Sequence, residues 1–541
     1  MMKKLLTIIL LLGMVAMFSA CKPNEVTPPN LDYEKINNVL DHIFLLPDEV
    51  TLDDEADVLL ARSVYEELTT EEKALISTYS ILEDAEATIL AIKTAQLEAE
   101  ALIQASFDEA QVELMEYLPA RLEDNIILPS TITTPIGELG VMWSSSDRIT
   151  LSNNGMTNPG RMDTIITMTT TLRWENTTYS FTQKVVVGKL TFDPLPASRL
   201  SFGYLYNRES FNSLRENEFD TIDVINYAFG RVLNGEASVT SLGDYQDVLA
   251  LRKNGIRVVL CLGGYEDGAV PFSEASKTAA GRQTLARSIV AAVELYHYDG
   301  VDIDWEYPGY YTGANGGELN IAIDSANYTA LMSELRTQLK RANSDYILSA
   351  AVPGGPWGPE RFEIENLAPI LDFFHLMTYD MDSATTSTHL NPLYSSSNGV
   401  AGCSVNDTVN LYHERGVAKN KLIVGLAFYG RKFYLSSSAT QAMKQPASSR
   451  QTVFQDEIAD SFLSRVGSGE VIRYFDETAK SPYLFDTVNK IAISYEDRES
   501  VMYKAQYIID NQLGGIMFWE YYEDPTGTLL VAIYDYLVKD R

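Results

Sequence analysis

Asp302, Asp304 and Glu306 stand at alternate positions in Tyr298-Asp299-Gly300-Val301-Asp302-Ile303-Asp304-Trp305-Glu306. Val301, Ile303 and Trp305 lie between them. A period of two is that of a β-strand, with carboxyls on one face and apolar groups on the other. Alternate side chains on one face are about 7 Å apart, from a rise of about 3.3 Å per residue. Three carboxyls at that spacing in a confined site do not all ionise: a proton is shared and at least one pKa rises. A carboxyl that keeps its proton near neutral pH is what a general acid requires. The alternation alone fits an edge strand with a solvated acidic face just as well, so the surrounding chain has to decide.

That chain has 541 residues, too many for one ordinary core, and several domains are expected. The 42 basic and 74 acidic residues leave a net charge of −32. Such a balance argues against nucleic acid and anionic membrane surfaces as partners, and its plain meaning is solubility. Three cysteines, Cys21, Cys261 and Cys403, form no disulfide framework, and the five histidines are scattered. No metal site and no cofactor is implied.

Residues 1 to 20 read as a lipoprotein signal peptide. Lys3 and Lys4 precede an apolar run from Leu5 to Phe18, which is short for a permanent membrane span. Phe18-Ser19-Ala20-Cys21 resembles a bacterial lipobox, with cleavage before Cys21 and lipidation of its thiol. The expected location is the bacterial cell envelope, lipid-anchored to the membrane and facing outward, or otherwise secreted. Residues 21–30 form a Pro-containing tether. Residues 31–105 carry helical periodicity, in Ala56 to Leu68 and Ile81 to Ile103, with Thr69 and Glu72 placed for a capping box. Residues 106–190 turn to β-branched alternation and turn signals after a short helical entry. Trp143-Ser144-Ser145-Ser146-Asp147 with Asn154-Gly155 resembles immunoglobulin-like modules, so a β-sandwich is expected. Residues 191–198, with Pro194 and Pro196, are a linker.

From residue 199 to 541 strands alternate with helices. Strand candidates are Leu200–Tyr206, Ile222–Phe229, Ile256–Gly263, Gly300–Glu306, Ile347–Pro353, Phe373–Tyr379, Leu422–Phe428 and Gly515–Trp519. Helical stretches such as Thr284–Tyr296, Tyr328–Arg341 and Ser500–Asn511 separate them. The expected fold class is α/β, a TIM (β/α)8 barrel. Residues 434–497 interrupt the pattern after strand seven. Strand-like Glu470–Phe475, Tyr483–Asp486 and Ile491–Tyr495 mark them as an inserted small α+β subdomain.

Active sites of such barrels lie at the C-terminal strand ends. Aromatic and acidic residues cluster there in this chain: Tyr204 and Tyr206, Phe229, Gly264-Tyr265, Glu306-Tyr307, Tyr379-Asp380, Tyr429, Arg431 and Trp519-Glu520. Aromatic faces around carboxyls suit a sugar, with its C–H faces and its hydroxyls.

Asp299-Gly300-Val301-Asp302-Ile303-Asp304-Trp305-Glu306 resembles the signature of the family 18 glycoside hydrolases, the chitinases. Ile225-Asn226-Tyr227-Ala228-Phe229, Met377-Thr378-Tyr379-Asp380, Gly425 to Arg431 and Gly514 to Glu520 resemble the family's other strand motifs, in its order. Residues 434–497 resemble the chitinase insertion domain. The resemblance implies a retaining, substrate-assisted mechanism on β-1,4-linked N-acetylglucosamine. Glu306 is then the general acid/base, Asp304 the orienter of the N-acetyl nucleophile, Asp302 its proton partner and Tyr379 a donor to the acetamido oxygen. Tyr204, Phe229, Gly264, Tyr265, Met377, Asp380, Tyr429, Arg431 and Trp519 match positions lining the cleft, and Asp299 supports a loop. The implied partner is chitin or its oligosaccharides, met by a monomer. Two departures stand out. Cys261 replaces a serine that normally bonds toward the acidic cluster, and a thiol is a weaker donor. Tyr265 replaces a tryptophan. An endo-β-N-acetylglucosaminidase acting on glycoprotein glycans shares the triplet but typically lacks the insertion. A non-catalytic chitin-binding lectin usually replaces the glutamate.

Overall fold

The computed structural model describes residues 30–206, 211, 213–215, 218–243, 245–265, 269–310 and 320–541. The signal peptide, Cys21 and the tether up to residue 29 lie outside the described residues. Two compact units are present: the residues up to Glu113 with Ile132–Leu139, and Leu114–Thr131 with Gly140–Arg541.

The first unit is built on helices Tyr33–Leu45, Glu55–Glu66 and Tyr79–Tyr117. Ile36, Val39 and Ile43 pack with Val58, Ala61, Leu82 and Ile89, which follow the three- and four-residue spacing of one helix face. The capping box forms: Glu72 N–H donates to Thr69 Oγ1 at 3.3 Å and Thr69 N–H to Glu72 Oε2 at 2.9 Å. The last helix runs to Tyr117. The short helical entry expected after residue 105 is therefore the end of that same helix, because its periodicity continues without a breaker.

Strands β1 (Arg121–Leu122), β2 (Thr131–Thr134), β3 (Gly137–Ser145), β4 (Thr164–Trp174) and β5 (Thr177–Val187) follow. They form one sheet in the order β1-β5-β4-β3-β2. Among the described residues this region holds that single sheet, whereas a sandwich needs two facing ones.

The rest of the second unit is the barrel. Its strands are β6 (Leu200–Tyr206), β7 (Val224–Leu233), β9 (Arg257–Gly263), β10 (Gly300–Asp304), β11 (Ile347–Pro353), β12 (Phe373–Met377), β13 (Leu422–Ala427) and β19 (Gly515–Trp519). A short β8 (Glu236–Ser238) pairs antiparallel with β7. The parallel order β6-β19-β13-β12-β11-β10-β9-β7 closes through β6–β7 pairing, with Tyr204 opposite Asn226. All eight expected strands are present, within a few residues of their expected ends. Leu200, Phe202, Tyr204, Val259, Cys261 and Met517 belong to one buried cluster inside the barrel. The intervening side chains, such as Val301, Ile303 and Leu348, pack outward against helices including Ala279–Leu295, Ile321–Ala342 and Arg498–Asn511.

After β13 the chain enters the inserted subdomain: β14 (Tyr429–Leu435), β15 (Ala447–Phe454), β16 (Val471–Asp476), β17 (Ser481–Asp486) and β18 (Ile491–Ser494). They form an antiparallel sheet in the order β15-β14-β18-β17-β16. The sheet begins at Tyr429, ahead of the boundary expected at 434, so Tyr429 and Arg431 belong to its first strand.

Candidate active site

Strand β10 is not an edge. It lies between β9 and β11, with Asp302 paired to Cys261 on one side and Ser349 on the other. All five of its residues are buried. That removes the solvated-face reading of the triplet. The strand ends at Asp304, two residues earlier than expected, so Glu306 sits on the loop above it. The final rung is Gly264 N–H to Asp304 C=O at 2.9 Å. Gly263 makes that approach feasible: its φ is +124°, and a Cβ there would run into the Asp304 carbonyl oxygen. The Glu306–Tyr307 peptide is cis, as are Ala228–Phe229 and Trp519–Glu520. Trp305 turns outward and stacks on Phe272 with ring centres 5.4 Å apart.

Asp302 is the deepest of the three and fully buried. Its Oδ1 accepts from Ser349 Oγ at 2.7 Å. Its Oδ2 accepts from Tyr204 Oη at 2.8 Å and Cys261 Sγ at 3.2 Å. His375 Nδ1 lies 3.3 Å from Oδ1, 2.9 Å from Tyr204 Oη and 3.2 Å from Asn226 Nδ2. Burial alone would raise the Asp302 pKa, but His375 and the donors from Ser349 and Tyr204 outweigh it and hold it below the usual value. Burial also pushes the Cys261 thiol well up, with the Asp302 and Asp304 charges adding to it, so the sulfur keeps its proton and can donate.

Asp304 is in the opposite position. It is 3% exposed and, among the described residues, its Oδ1 has no hydrogen-bond partner. Burial, with the Glu306 and Asp302 charges beside it, drives its pKa well above the ordinary value. Glu306, partly open to the cleft, is raised to about 7. Burial is the main cause; a hydrogen bond from Tyr307 opposes it and the Asp380 charge adds to it. Asp302 is thus held anionic at depth while Asp304 and Glu306 above it are pushed toward the protonated form, which is the division acid–base chemistry uses.

These groups open into a cleft of about 940 Å³. Of the residues read from the sequence, Tyr204, Phe229, Gly264, Tyr265, Asp304, Glu306, Met377, Tyr379, Asp380, Tyr429, Arg431 and Trp519 all line it. Asp302 is absent from the wall because it lies beneath it. Trp519 packs on Phe229 with ring centres 5.6 Å apart and sits 5.6 Å from the Tyr204 ring. Tyr379 meets Tyr429 edge-on at 6.2 Å, and burial together with the Asp304 and Glu306 charges keeps its hydroxyl protonated. Tyr429 Oη donates to Asp380 Oδ1 at 2.7 Å, and Arg431 pairs with the same carboxylate. The first strand of the inserted sheet therefore forms part of the cleft wall. Tyr265 reaches into solvent, 54% exposed.

Asp299 lies at the other end of β10, away from the cleft. It is fully buried, and Arg252 binds it through Nε at 2.9 Å and a terminal nitrogen at 3.1 Å. Arg161, from the sheet region before the barrel, adds a contact at 3.1 Å.

Sequence reasoning gave no site role to His375, Ser349 or Asn226, and placed Tyr307 only among the aromatics at the strand ends. The first three share a signal: each is a lone polar residue at an inward position of an otherwise apolar barrel strand.

A family model described as glycosyl hydrolases family 18 matches residues 202–524. Among curated proteins, chitinase A1 of Niallia circulans is 34% identical over 293 residues, which is 51% of this chain and 41% of that protein. Chitotriosidase-1 of Mus musculus is 30% identical over 312 residues, 54% of this chain and 65% of that protein. The matches thus span less than two thirds of either relative. A solved family 18 N-acetylglucosaminidase from Paenibacillus barengoltzii superposes with a TM-score of 0.58 at 34% identity, covering 63% of this chain and all of that one. The chain belongs to family 18 of the glycosyl hydrolases.

Proposed function

We propose that the protein is a chitinase, hydrolysing β-1,4-linked N-acetylglucosamine polymers with retention of configuration. The observation that carries this is the split between the carboxyls: Glu306 near 7 at the cleft surface, Asp304 pushed up behind it, Asp302 held down below. Glu306 protonates the leaving glycosidic oxygen and later takes a proton from water. Asp304, whose Oδ1 has no hydrogen-bond partner among the described residues, accepts from the substrate's acetamido N–H. That steers the carbonyl oxygen onto the anomeric carbon and stabilises the positive charge of the oxazolinium ring. The tethered nucleophile makes ring closure intramolecular. Asp302 shares a proton with Asp304 and supplies negative charge as the ring forms. Tyr379 donates to the acetamido oxygen, and Trp519 floors the site.

The similarity to the P. barengoltzii enzyme favours a second reading, release of single N-acetylglucosamine units from chain ends. Product analysis separates the two. The full chain incubated with chitin, chitosan, peptidoglycan and N-glycans releases N-acetylated chito-oligosaccharides from chitin if the proposal holds. Glu306→Gln abolishes release and retains binding. Binding without turnover by the unmutated protein would mean a lectin, and turnover on N-glycans alone an endo-β-N-acetylglucosaminidase. The lipobox-like Phe18-Ser19-Ala20-Cys21 supports lipid anchoring at the bacterial envelope. A Cys21→Ser protein that stays with membranes refutes it.

A further inference from the structure

Beneath the carboxyls lies a histidine that takes no part in the steps above. His375 is on the inward face of β12, between Ala351 of β11 and Ile423 of β13, and is fully buried. Its ring packs against those of Phe202 and Tyr204, with centres 4.7 Å and 5.8 Å away. One ring atom makes its polar contacts: Nδ1 is 2.9 Å from Tyr204 Oη, 3.2 Å from Asn226 Nδ2 and 3.3 Å from Asp302 Oδ1. Nε2, on the far side of the ring, has no hydrogen-bond partner among the described residues.

Counting hydrogens places one on Nδ1. Tyr204 has a single hydroxyl hydrogen and two neighbours for it, Asp302 Oδ2 at 2.8 Å and His375 Nδ1. An ionised carboxyl only accepts, so that hydrogen goes to Asp302. The lone pairs of Tyr204 Oη then face Nδ1, and so does Asp302 Oδ1. A bare Nδ1 would set lone pair against lone pair at both. An Nδ1–H donates to Tyr204 instead and points its positive end toward Asp302. Asn226 suits this arrangement once its amide, by a half turn, presents oxygen rather than nitrogen to Nδ1. A hydrogen on Nε2 would be buried with no acceptor among the described residues, which is the costly way to leave a ring nitrogen.

We propose that His375 is a positioning residue for the reaction: its Nδ1–H locks the Tyr204 hydroxyl toward Asp302, so that Asp302 remains the anion of the carboxyl pair. The proposal rests on the hydrolase reading above and deepens it. With Nδ1 bare, the Tyr204 hydrogen swings onto it, and Asp302 loses a donor and takes up a proton at higher pH.

Few groups around the histidine titrate. Tyr204 from β6, Cys261 from β9 and Tyr328 from helix Ile321–Ala342 are buried and keep their protons. Asp302 and Asp304 come from β10. Strands β7 and β11 bring the amide of Asn226 and the hydroxyl of Ser349, and β13 and β19 the apolar Ile423 and Met517. Among the described residues the ion-pair partner of Asp302 is His375.

The test compares His375→Leu and His375→Asn in the full chain. Leucine removes the N–H. Asparagine supplies an amide N–H where Nδ1 stood and has no ionising group. The readout is kcat/KM on a fluorogenic chito-oligosaccharide across the acid limb. His375→Leu is expected to move that limb to higher pH, with a severalfold loss at acid pH that fades on the plateau. His375→Asn is expected to return the limb to its place in the unmutated protein. A limb that leucine leaves unmoved overturns the proposal. So does asparagine behaving like leucine, which would mean that a charge and not a hydrogen bond is at work. Nitrogen-15 NMR of imidazole-labelled protein needs no turnover: among the five histidines, His375 is the one whose signals vanish in the asparagine variant. It is expected to carry its hydrogen on Nδ1, and a hydrogen on Nε2 overturns the proposal even if the leucine variant does not fold. Failure of the unmutated protein to hydrolyse any chito-oligosaccharide would refute the hydrolase reading, while the NMR still decides where the hydrogen lies.

Discussion

Replacing Ser349 by alanine and Cys261 by serine is expected to move the acid limb of the pH–rate profile in opposite directions. Both side chains donate to Asp302, one to each carboxylate oxygen, at 2.7 Å and 3.2 Å. Backbone register with β11 and β9 fixes both donors opposite their target. A hydrogen bond to a charged group contributes about 1.5–3 kcal/mol. One pKa unit is about 1.36 kcal/mol. Losing the Ser349 hydroxyl therefore raises the Asp302 pKa, because one of the donors that holds it down is gone. A thiol is a weak donor. A hydroxyl in its place donates more strongly and lowers the Asp302 pKa further. The sign follows from the active form, in which Asp302 is ionised: a higher pKa moves the acid limb to higher pH, a lower one to lower pH. Asp302 and Asp304 titrate as a pair, so the limb reports the lower macroscopic value of the two. The alkaline limb belongs to Glu306, near 7. It stays nearly fixed in both variants. The assay is kcat/KM on a fluorogenic chito-oligosaccharide across both limbs, with circular-dichroism melting at each pH to confirm folding. Limbs that move the same way in both variants, or in neither, refute Asp302 as the low-pKa partner.

Three further outcomes follow from buried charge. Glu306 is raised from 4.5 to about 7, so its contribution to stability is fully present below 4.5 and lost as pH rises through 7. Glu306→Gln escapes that loss, and thermal melting should show it gaining about 3 kcal/mol on the parent between acid and mildly alkaline pH; parallel curves would contradict the shift. Lys504 and Glu496 form a fully buried pair, with Lys504 Nζ also donating to Asn391 O at 2.6 Å and Oδ1 at 2.8 Å. Lys504→Met strands the carboxylate and costs about 3–5 kcal/mol in denaturant unfolding, and adding Glu496→Gln recovers most of it; no recovery would argue that packing, not charge, holds the site. His297 is lowered to about 4, mainly by burial and then by Arg252. Its contribution is present above 6.5 and lost as pH falls through 4, so His297→Asn, tolerated at a φ of 60°, flattens the acid side of the stability curve. An unchanged acid slope would count against it.

The barrel strands were legible because each is a short apolar run closed by aromatic or acidic residues. The triplet's depth was not, since alternation describes two faces without saying that both are buried. Ser349 and His375 were invisible as partners of Asp302 because their meeting is a matter of register and closure, which no local window contains. The inserted sheet was half read. Its strand β15, Ala447–Phe454, is exposed along most of its length and has no apolar alternation to detect. Strand β14 follows β13 with one residue between, so it read as the end of a barrel strand. The five strands before the barrel carried a β pattern, but local alternation does not say how many sheets they make.

The pairing of Asp299 with Arg252 and Arg161 gives β10 a second task. Arg252 also donates to the Pro159 carbonyl at 2.6 Å and to Asn158 Oδ1 at 3.3 Å, in the turn that leads into β4. Thr150 Oγ1 meets His297 Nε2 at 2.8 Å nearby. One five-residue strand thus carries the acid cluster at its upper end and a mooring at its lower end, about 17 Å apart at the rise of an extended chain. The barrel is held from below, on the side away from its mouth. The fastening lies at the opposite end of β10 from the carboxyls, so it leaves the mouth of the cleft clear.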